Sequence, residues 1–474
     1  MKTELKLDYE TLCAGKAATT NLVISFTAPH VADKDRRPIA FGVVIDRSGS
    51  MEGRPLVAAK DAAKLAVRNL RLEDRFTLVV FDDEAQCLTP LQMIKDKKAL
   101  LDQISAIETG GSTNICGGWS LGHEELGRSP DDMPRRLLLL TDGQVNVGIT
   151  EPERVTAIAA SGLERSRVRT SCLGFGDAYN EDLLAEMAKR SSGTFYNAND
   201  PEQLPMIFAE ELEGLQSIAV QNLRVRVKPL DFCDRLDQLS DYPRTELEGG
   251  VIQFAVGDLV SDEQRHMVLQ IEVPALPCAP DGSPVATLEG EQLVKVEIVW
   301  DAILPESIEH RTHEQIVRIQ AVQNPEEVRV NVSVLPFVAS QRAGKVMESA
   351  MLDLDKGHPE AAALKLKAAM EALRAYGNDA AVRDGLVVLA QLEARINADE
   401  FDASVRKDTR SMAKHMRATS TSRIAFSSNY EQASWTKRVP LPSSPPPVAP
   451  DASATPKPPP LPRPGSDDDA VGGA

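Results

Sequence analysis

The sequence predicts an α/β domain with a doubly wound, mostly parallel sheet, inserted in an antiparallel β-sandwich and followed by an α-helical domain and a disordered proline-rich tail. Three observations carry this. Strand-like and helix-like segments alternate from 39 to 213. From 217 to 339 the pattern changes to short strands between turn residues, a pattern that residues 1–36 share. From 341 to 425 apolar residues recur at three- and four-residue spacing.

The elements follow in order. "ELKLDYETL" alternates and "TTNLVISFTA" is β-branched and apolar, so residues 1–36 read as strands of the sandwich. Two such strands cannot close a core alone and must pair with later ones. In the α/β unit, "IAFGVVID", "RFTLVVFDD", "PRRLLLLTDG", "VRTSCLGFG" and "GTFYNA" read as strands. "PLVAAKDAAKLAVRNL", "DKKALLDQISAI", "PERVTAIAASGLERS", "NEDLLAEMAKRS" and "DPEQLPMIFAEELEGL" read as helices, and "GGSTNICGGWSLGHEELG" as a glycine-rich loop running into one. "SIAVQNLRVRVKPL", "VIQFAVGDLV", "RHMVLQIEVPAL", "QLVKVEIVWDAIL" and "EEVRVNVSVLPFVAS" read as the sandwich strands, and the segments from Gly344 to Asn397 as helical hairpins. From 438 to 474 a dozen of the chain's 31 prolines crowd into a segment that cannot bury a core and is expected to be disordered or polyproline II. Its "PPPLPRP" suits an SH3-like or other aromatic-groove partner. Phe426, Tyr430 and Trp435, just before it, read either as a docking segment or as packing on the helices.

Composition narrows the function. With 474 residues, 42% of them apolar and 26% charged, the chain is an ordinary soluble protein of several domains. A net charge of −17 argues against nucleic-acid binding, which needs Lys and Arg to neutralise phosphates. The six cysteines form no C-x-x-C pair, which argues against zinc and a disulfide scaffold, and read as reduced thiols. The N-terminus has no apolar signal region, and no run reaches the roughly 20 apolar residues of a membrane span. A cytoplasmic location with no membrane partner is the expectation.

The chemistry lies at three predicted strand ends. "FGVVIDRSGS" delivers Asp46, Ser48 and Ser50; "GGSTNI" delivers Thr113; "LLLLTDG" delivers Asp142. In a mostly parallel sheet these places are neighbours at the carboxyl edge, where ligands bind. Two carboxylates and three hydroxyls form a hard, all-oxygen donor set. It suits Mg²⁺, with Mn²⁺ or Ca²⁺ as the other ions of the same kind. The rival readings are weaker. The loop lacks both glycine-rich phosphate patterns, and neither Ser48 nor Asp46 has the surroundings of a nucleophile, so no catalytic residue is expected. His123 reads as a surface or half-buried histidine, Asp82–Glu84 as a solvated turn or, second to that, a rim of the metal face, and Arg47, Met51 and Glu52 as flanking residues able to select a partner.

The pattern D-x-S-x-S in "DRSGS", then the Thr of "GGSTNI", then the Asp of "TDG" resembles the metal-ion-dependent adhesion site of von Willebrand factor type A domains. All five positions match in order over the α/β part. The resemblance implies that Ser48, Ser50 and Thr113 bind Mg²⁺ directly or through water. Asp46 and Asp142 would act largely through waters and hydrogen bonds, and a partner's Glu or Asp would complete the coordination. The wider arrangement is similar to bacterial type A domain proteins and, more distantly, to inter-alpha-trypsin inhibitor heavy chains, calcium-activated chloride channel regulators and a plant family of ubiquitin ligases. It implies a non-catalytic scaffold or adaptor, with an AAA-type ATPase as the partner that family association suggests. The alternatives are an accessory subunit of an enzyme such as a chelatase or ubiquitin-ligase-like complex, and a tail-driven hub with a vestigial metal site.

Overall fold

Three strands, β1 (Lys2–Leu7), β2 (Thr11–Cys13) and β3 (Ala18–Thr27), precede the α/β unit; β1 and β3 pair antiparallel, and β2 pairs in parallel with a late strand, Ile308–Val322. The computed structural model describes residues 1–417 except 33–35, 144–146, 177–178, 199, 286–289, 305–306, 375–379 and 399–402. The aromatic segment around Phe426, Tyr430 and Trp435 and the proline-rich tail lie outside the described residues.

The α/β unit runs β4 (Ala40–Asp46), α1 (Arg54–Asn69), β5 (Arg75–Phe81), β6 (Ala85–Met93), α2 (Lys97–Ser105), α3 (Ile115–Gly127), β7 (Arg135–Thr141), α4 (Pro152–Ser166), β8 (Arg169–Phe175), α5 (Glu181–Arg190), β9 (Phe195–Ala198) and α6 (Leu204–Gln216). Its sheet has the order β6-β5-β4-β7-β8-β9, parallel except for the β5–β6 pair. All seven residues of β4 and of β7 are buried. One face packs Phe41, Val43 and Ile45 with Ala59, Ala63, Val67 and Phe208 of α1 and α6; the other packs Val44, Leu137 and Leu139 with Trp119 and Leu126 of α3. Each such fully buried aliphatic side chain contributes about 1.5–3 kcal/mol. β6 is absent from the sequence reading because its side chains are mostly exposed or half-buried and Gln86, Thr89, Pro90 and Gln92 break the apolar run that its neighbours show.

The chain then returns to the sandwich through β10 (Ile218–Pro229), β11 (Arg235–Gln238), β12 (Arg244–Leu247), β13 (Val251–Val260), β14 (Gln264–Val273), β15 (Glu291–Ile303) and β16 (Ile308–Val322). One sheet has the order β1-β3-β14-β11 and the other β12-β13-β10-β15-β16-β2. Leu22, Ile24, Phe26, Leu223, Val225, Phe254, Met267 and Ile298 fill the space between them. β3 pairs with β14 along ten residues although the whole α/β unit separates them in sequence. A buried bidentate pair fixes the point where the chain passes into β4. Arg36 donates to both oxygens of Asp74 at 2.8 and 2.7 Å, and Asp74 also accepts from the Ile39 and Arg71 amides.

Four helices follow: α7 (Leu335–Asp355), α8 (Pro359–Arg374), α9 (Ala380–Asn397) and α10 (Ala403–Arg417). Two expectations are corrected here. "EEVRVNVSVLPFVAS" is no strand. After a single bridge from Val330 to Tyr9, Asn331 accepts from the Ser333 amide and hydroxyl and turns the chain, and α7 begins at Leu335 with Pro336 in its first turn. The last long strand is instead "IEHRTHEQIVRIQAV", whose polar first half hides its extended conformation from any test of alternation. Val334 and Val338 seat α7 on Val23, Leu239 and Val268 of the sandwich. Arg410 pairs with Asp182 of α5 and at 2.8 Å with Asp355, so α10 ties the helices to the α/β unit. No helix among the described residues is long and apolar enough to cross a membrane.

The sandwich grips the α/β unit at the amino ends of its strands. Arg169, the first residue of β8, donates to Asp258 of β13 at 2.6 Å and to the Asn222 amide oxygen at 3.1 Å, with both charged side chains buried. Burial lowers the pKa of the Arg169 guanidinium; Asp258 opposes that, and Arg136 and Arg265 reinforce it. Removing the acid strands a buried guanidinium beside two others. Asp258→Ala is expected to cost about 3–5 kcal/mol, and the isosteric apolar change Arg169→Met paired with Asp258→Leu much less. Urea unfolding of the three proteins checks this; an equal loss in both variants contradicts it.

Candidate metal centre

The strand order reverses between β4 and β7: β4, β5 and β6 run one way from this point, and β7, β8 and β9 the other. The two strands are paired in parallel, Ile45 opposite Leu140, so Asp46 and the Thr141–Asp142 pair leave the sheet side by side. A crevice opens at such a switch point because the connections diverge to opposite faces.

Asp46 is fully buried, and its two oxygens are occupied. Oδ1 accepts from the Ser48 amide at 2.8 Å, which curls the loop back on itself, and Oδ2 accepts from the Thr141 hydroxyl at 2.5 Å. The Ser48 and Ser50 hydroxyls lie 3.1 Å apart, and Ser50 donates to Asp142 Oδ1 at 2.7 Å. Thr113 is buried beside them: a Cβ added to Gly143 would sit 3.0 Å from its Oγ1. The structure therefore brings Asp46, Ser48, Ser50, Thr113 and Asp142 together from three loops.

Burial pushes the Asp46 carboxyl up to about 6; the hydrogen bonds from Thr141 and Ser48 oppose the rise and the Asp142 charge adds to it. Burial also raises Asp142, against the Ser50 hydroxyl. Both carboxylates thus sit where their charge is penalised, a penalty that a cation would relieve. The donors fit a hard ion. Among the described residues no three His, Cys, Asp or Glu side chains cluster as a metal site, so any ion here would draw on hydroxyls as well as carboxylates.

Several positioning residues were not read from the sequence. Thr141 is one; its only signal was a hydroxyl next to the acid in "LLLLTDG". In the Asp82–Glu84 turn, Asp83 and Glu84 are exposed as expected, but Asp82 is buried, and the turn lies against the loop that carries Thr113. Asp82 pairs with Arg47 at 2.9 Å and accepts the Asn114 amide on its carbonyl at 2.9 Å; Asp83 accepts from the Ser112 amide at 3.1 Å. Together they seat the loop that carries Thr113. A Cβ at Gly110 would lie 1.9 Å from Asp82 Oδ2, and one at Gly111 1.9 Å from Asp83 Oδ2, so only glycine allows this approach. Asn114 then caps α3 by accepting the Gly117 amide. Met51 is buried in the core and cannot meet a partner, whereas Glu52 is exposed. His123 is half-buried against Trp119 and bonded to the Ser166 hydroxyl.

The family model of the von Willebrand factor type A domain matches residues 42–210. The chain carries a type A domain. Domains of this family commonly mediate protein–protein interaction. The uncharacterized protein sll0103 of Synechocystis is 27% identical over 283 residues, 57% of this chain and 66% of that protein. Uncharacterized protein YfbK of Escherichia coli is 25% identical over 39% of this chain and 32% of its own length. Mouse inter alpha-trypsin inhibitor, heavy chain 4, is 32% identical over 32% of this chain and 17% of its own length. The match thus spans just under two thirds of the first relative and a third or less of the other two. Among solved structures, a von Willebrand factor type A protein from Catenulispora acidiphila has a TM-score of 0.63 at 18% identity, over 82% of this chain and 88% of that one. The ArnB paralog VWA2 from Sulfolobus acidocaldarius has a TM-score of 0.56 at 17% identity, over 88% and 97%. Both likenesses reach well beyond the type A domain, so the fold they share extends past it.

The raised Asp46 pKa has a measurable consequence. Its ionised form destabilises the metal-free fold above pH 6, and the penalty is lost as pH falls through about 6 toward the ordinary 3.8. In EDTA, Asp46→Asn is expected to exceed wild type in stability at pH 8, by on the order of 3 kcal/mol, with the gap closing toward pH 4. Paired urea titrations across that range read it, and a gap constant with pH refutes it.

Proposed function

We propose that this chain is a Mg²⁺-dependent protein-recognition module, acting without catalysis as a scaffold or adaptor. The observation that carries the reading is the gathering of two desolvated carboxylates and three hydroxyls at the switch point of the sheet. Ser48, Ser50 and Thr113 would hold the ion directly or through water, and Asp46 and Asp142 through waters and hydrogen bonds. The bound ion would supply one electrophilic position for a carboxylate from outside.

The residues of the chain do the rest. Thr141 and the Ser48 amide consume the lone pairs of Asp46 that point inward, which fixes the loop without adding a direct anionic ligand. Asp142 accepts the Ser50 proton and so turns the hydroxyl lone pairs away from itself. Few direct negative ligands leave an ion that still attracts an acid, and the fitting partner is a protein with an exposed Glu or Asp. A cytoplasmic setting and an AAA-type ATPase partner belong to this proposal and rest on family resemblance alone.

Calorimetry with Mg²⁺ is expected to give saturable binding that Asp142→Ala abolishes while its circular dichroism stays that of wild type. Capture from native lysate in Mg²⁺ and in EDTA then tests recognition. A partner held only with Mg²⁺, lost in Asp142→Ala and retained after deletion of residues 438–474, supports the reading. Equal capture by wild type and Asp142→Ala sinks it.

A further inference from the structure

The sandwich ends, on one side, in a strand that nothing among the described residues covers. β16 pairs with β15 from Ile308 to Ile319, but β2 adds to its outer edge only at Gln320–Val322. Residues Ile308–Ile316 are all exposed. Among the described residues their outer edge makes no backbone hydrogen bond.

Free edges are usually blunted by shortness, proline, a bulge or charged side chains, lysine above all; the charges of this stretch, Glu309, Arg311 and Glu314, are of both signs and so do not repel a second strand as a row of lysines would. The other edges here obey that rule. β12, β11 and β9 have four residues each, β1 carries Lys2 and Lys6, and β6 carries Pro90 and is irregular in register. The Ile308–Ile316 stretch has no proline, glycine or lysine, and its register with β15 is regular throughout.

Its side chains are complementary to themselves. Ile308, His310, Thr312, Glu314 and Ile316 share one face, with Asp301 bonded to His310 and Lys295 to Glu314. In a two-fold antiparallel pairing centred on Thr312, Ile308 meets Ile316 of the second copy, His310 meets Glu314, and Thr312 meets itself. On the other face Glu309 meets Gln315 and Arg311 meets His313. Ile308 and Ile316 are among the few exposed large apolar residues of the protein, 36% and 39% exposed. The other registers are worse: centring on Arg311 or Glu314 sets like charges directly opposite, centring on His310 or His313 parts the two isoleucines, and an odd offset would pair residues from opposite faces.

We infer that a second copy of this chain occupies this edge, joining the two six-stranded sheets into one through a Thr312-centred antiparallel pair. The contact is one strand wide, at the small end of specific interfaces, so the dimer is reversible and concentration-dependent. It would present two type A domains at once, raising the avidity for any repeated partner.

The test uses the full chain. Sedimentation from about 1 µM to about 500 µM is expected to move from monomer toward dimer mass. Ile308→Lys with Ile316→Lys sets lysine against lysine at both ends while altering only exposed side chains. Its dimerisation is expected to weaken at least about tenfold with unchanged melting temperature. In a Cys278→Ser background, which removes the exposed native thiol, Thr312→Cys is expected to oxidise to a disulfide dimer because the two copies of residue 312 face each other. His310→Cys, opposite Glu314 rather than itself, should not. A chain that stays monomeric throughout, or equal cross-linking at 310 and 312, overturns the inference.

Discussion

β4 is buried along its whole length, and that constraint organises the domain around it. A parallel strand with helices on both faces offers its polar neighbours only two places, its ends. At the amino end, Arg36 and Asp74 pair and close the sheet off. At the carboxyl end, Asp46 is still buried, and the chain satisfies it with Thr141 and the Ser48 amide rather than with a cation of its own. The loop shape that brings Ser48 and Ser50 together follows from the carboxylate at the end of that strand.

The same logic separates the two ends of the type A domain. The sandwich holds the amino ends through Arg169 and Asp258, with Arg136, Glu211, Arg265 and Glu263 close by as further buried ion pairs. Such pairs add little net stability over an apolar contact, but they punish misplacement heavily, since any one of them left alone is a buried charge. Arg169–Asp258 crosses between the two units and fixes the orientation of the domain in its sandwich, while Arg136–Glu211 and Arg265–Glu263 brace each side from within; the chemistry is left to the opposite edge. There Asp46 and Asp142 are bonded to an amide and to hydroxyls rather than to a base, Arg47 being paired with Asp82, which is the arrangement expected of a cation site.

Most of the architecture was legible because its periods are unmixed. The buried strands read as apolar runs, the helices as three- and four-residue stripes, and the β-sandwich as short alternating segments. The failures share a cause: exposure. The first half of β16 is extended without an apolar face, and β6 packs Ala85, Cys87 and Leu91 on the core only half-buried and is interrupted by Pro90, so neither shows the apolar run that marks the other strands. "VRVNVSV" alternates like a strand but makes only the single bridge from Val330 to Tyr9 before Asn331 turns the chain into α7. Local pattern predicts which side chains want burial; it does not record where a neighbouring strand is available.

The sequence by itself determined the five candidate oxygen-bearing side chains and the strand ends that carry them. Asp46, Ser48, Ser50, Thr113 and Asp142 could be named from spacing because each terminates an unmistakable apolar run or glycine loop. Only the tertiary structure decided how they are held. Thr141 reaches Asp46 because β4 and β7 are adjacent. Asp82 and Asp83 seat the Thr113 loop because Gly110 and Gly111 leave room for their carboxylates, and Met51 is lost to the core. Those contacts join residues far apart in the chain, and a one-dimensional pattern carries no distance between them.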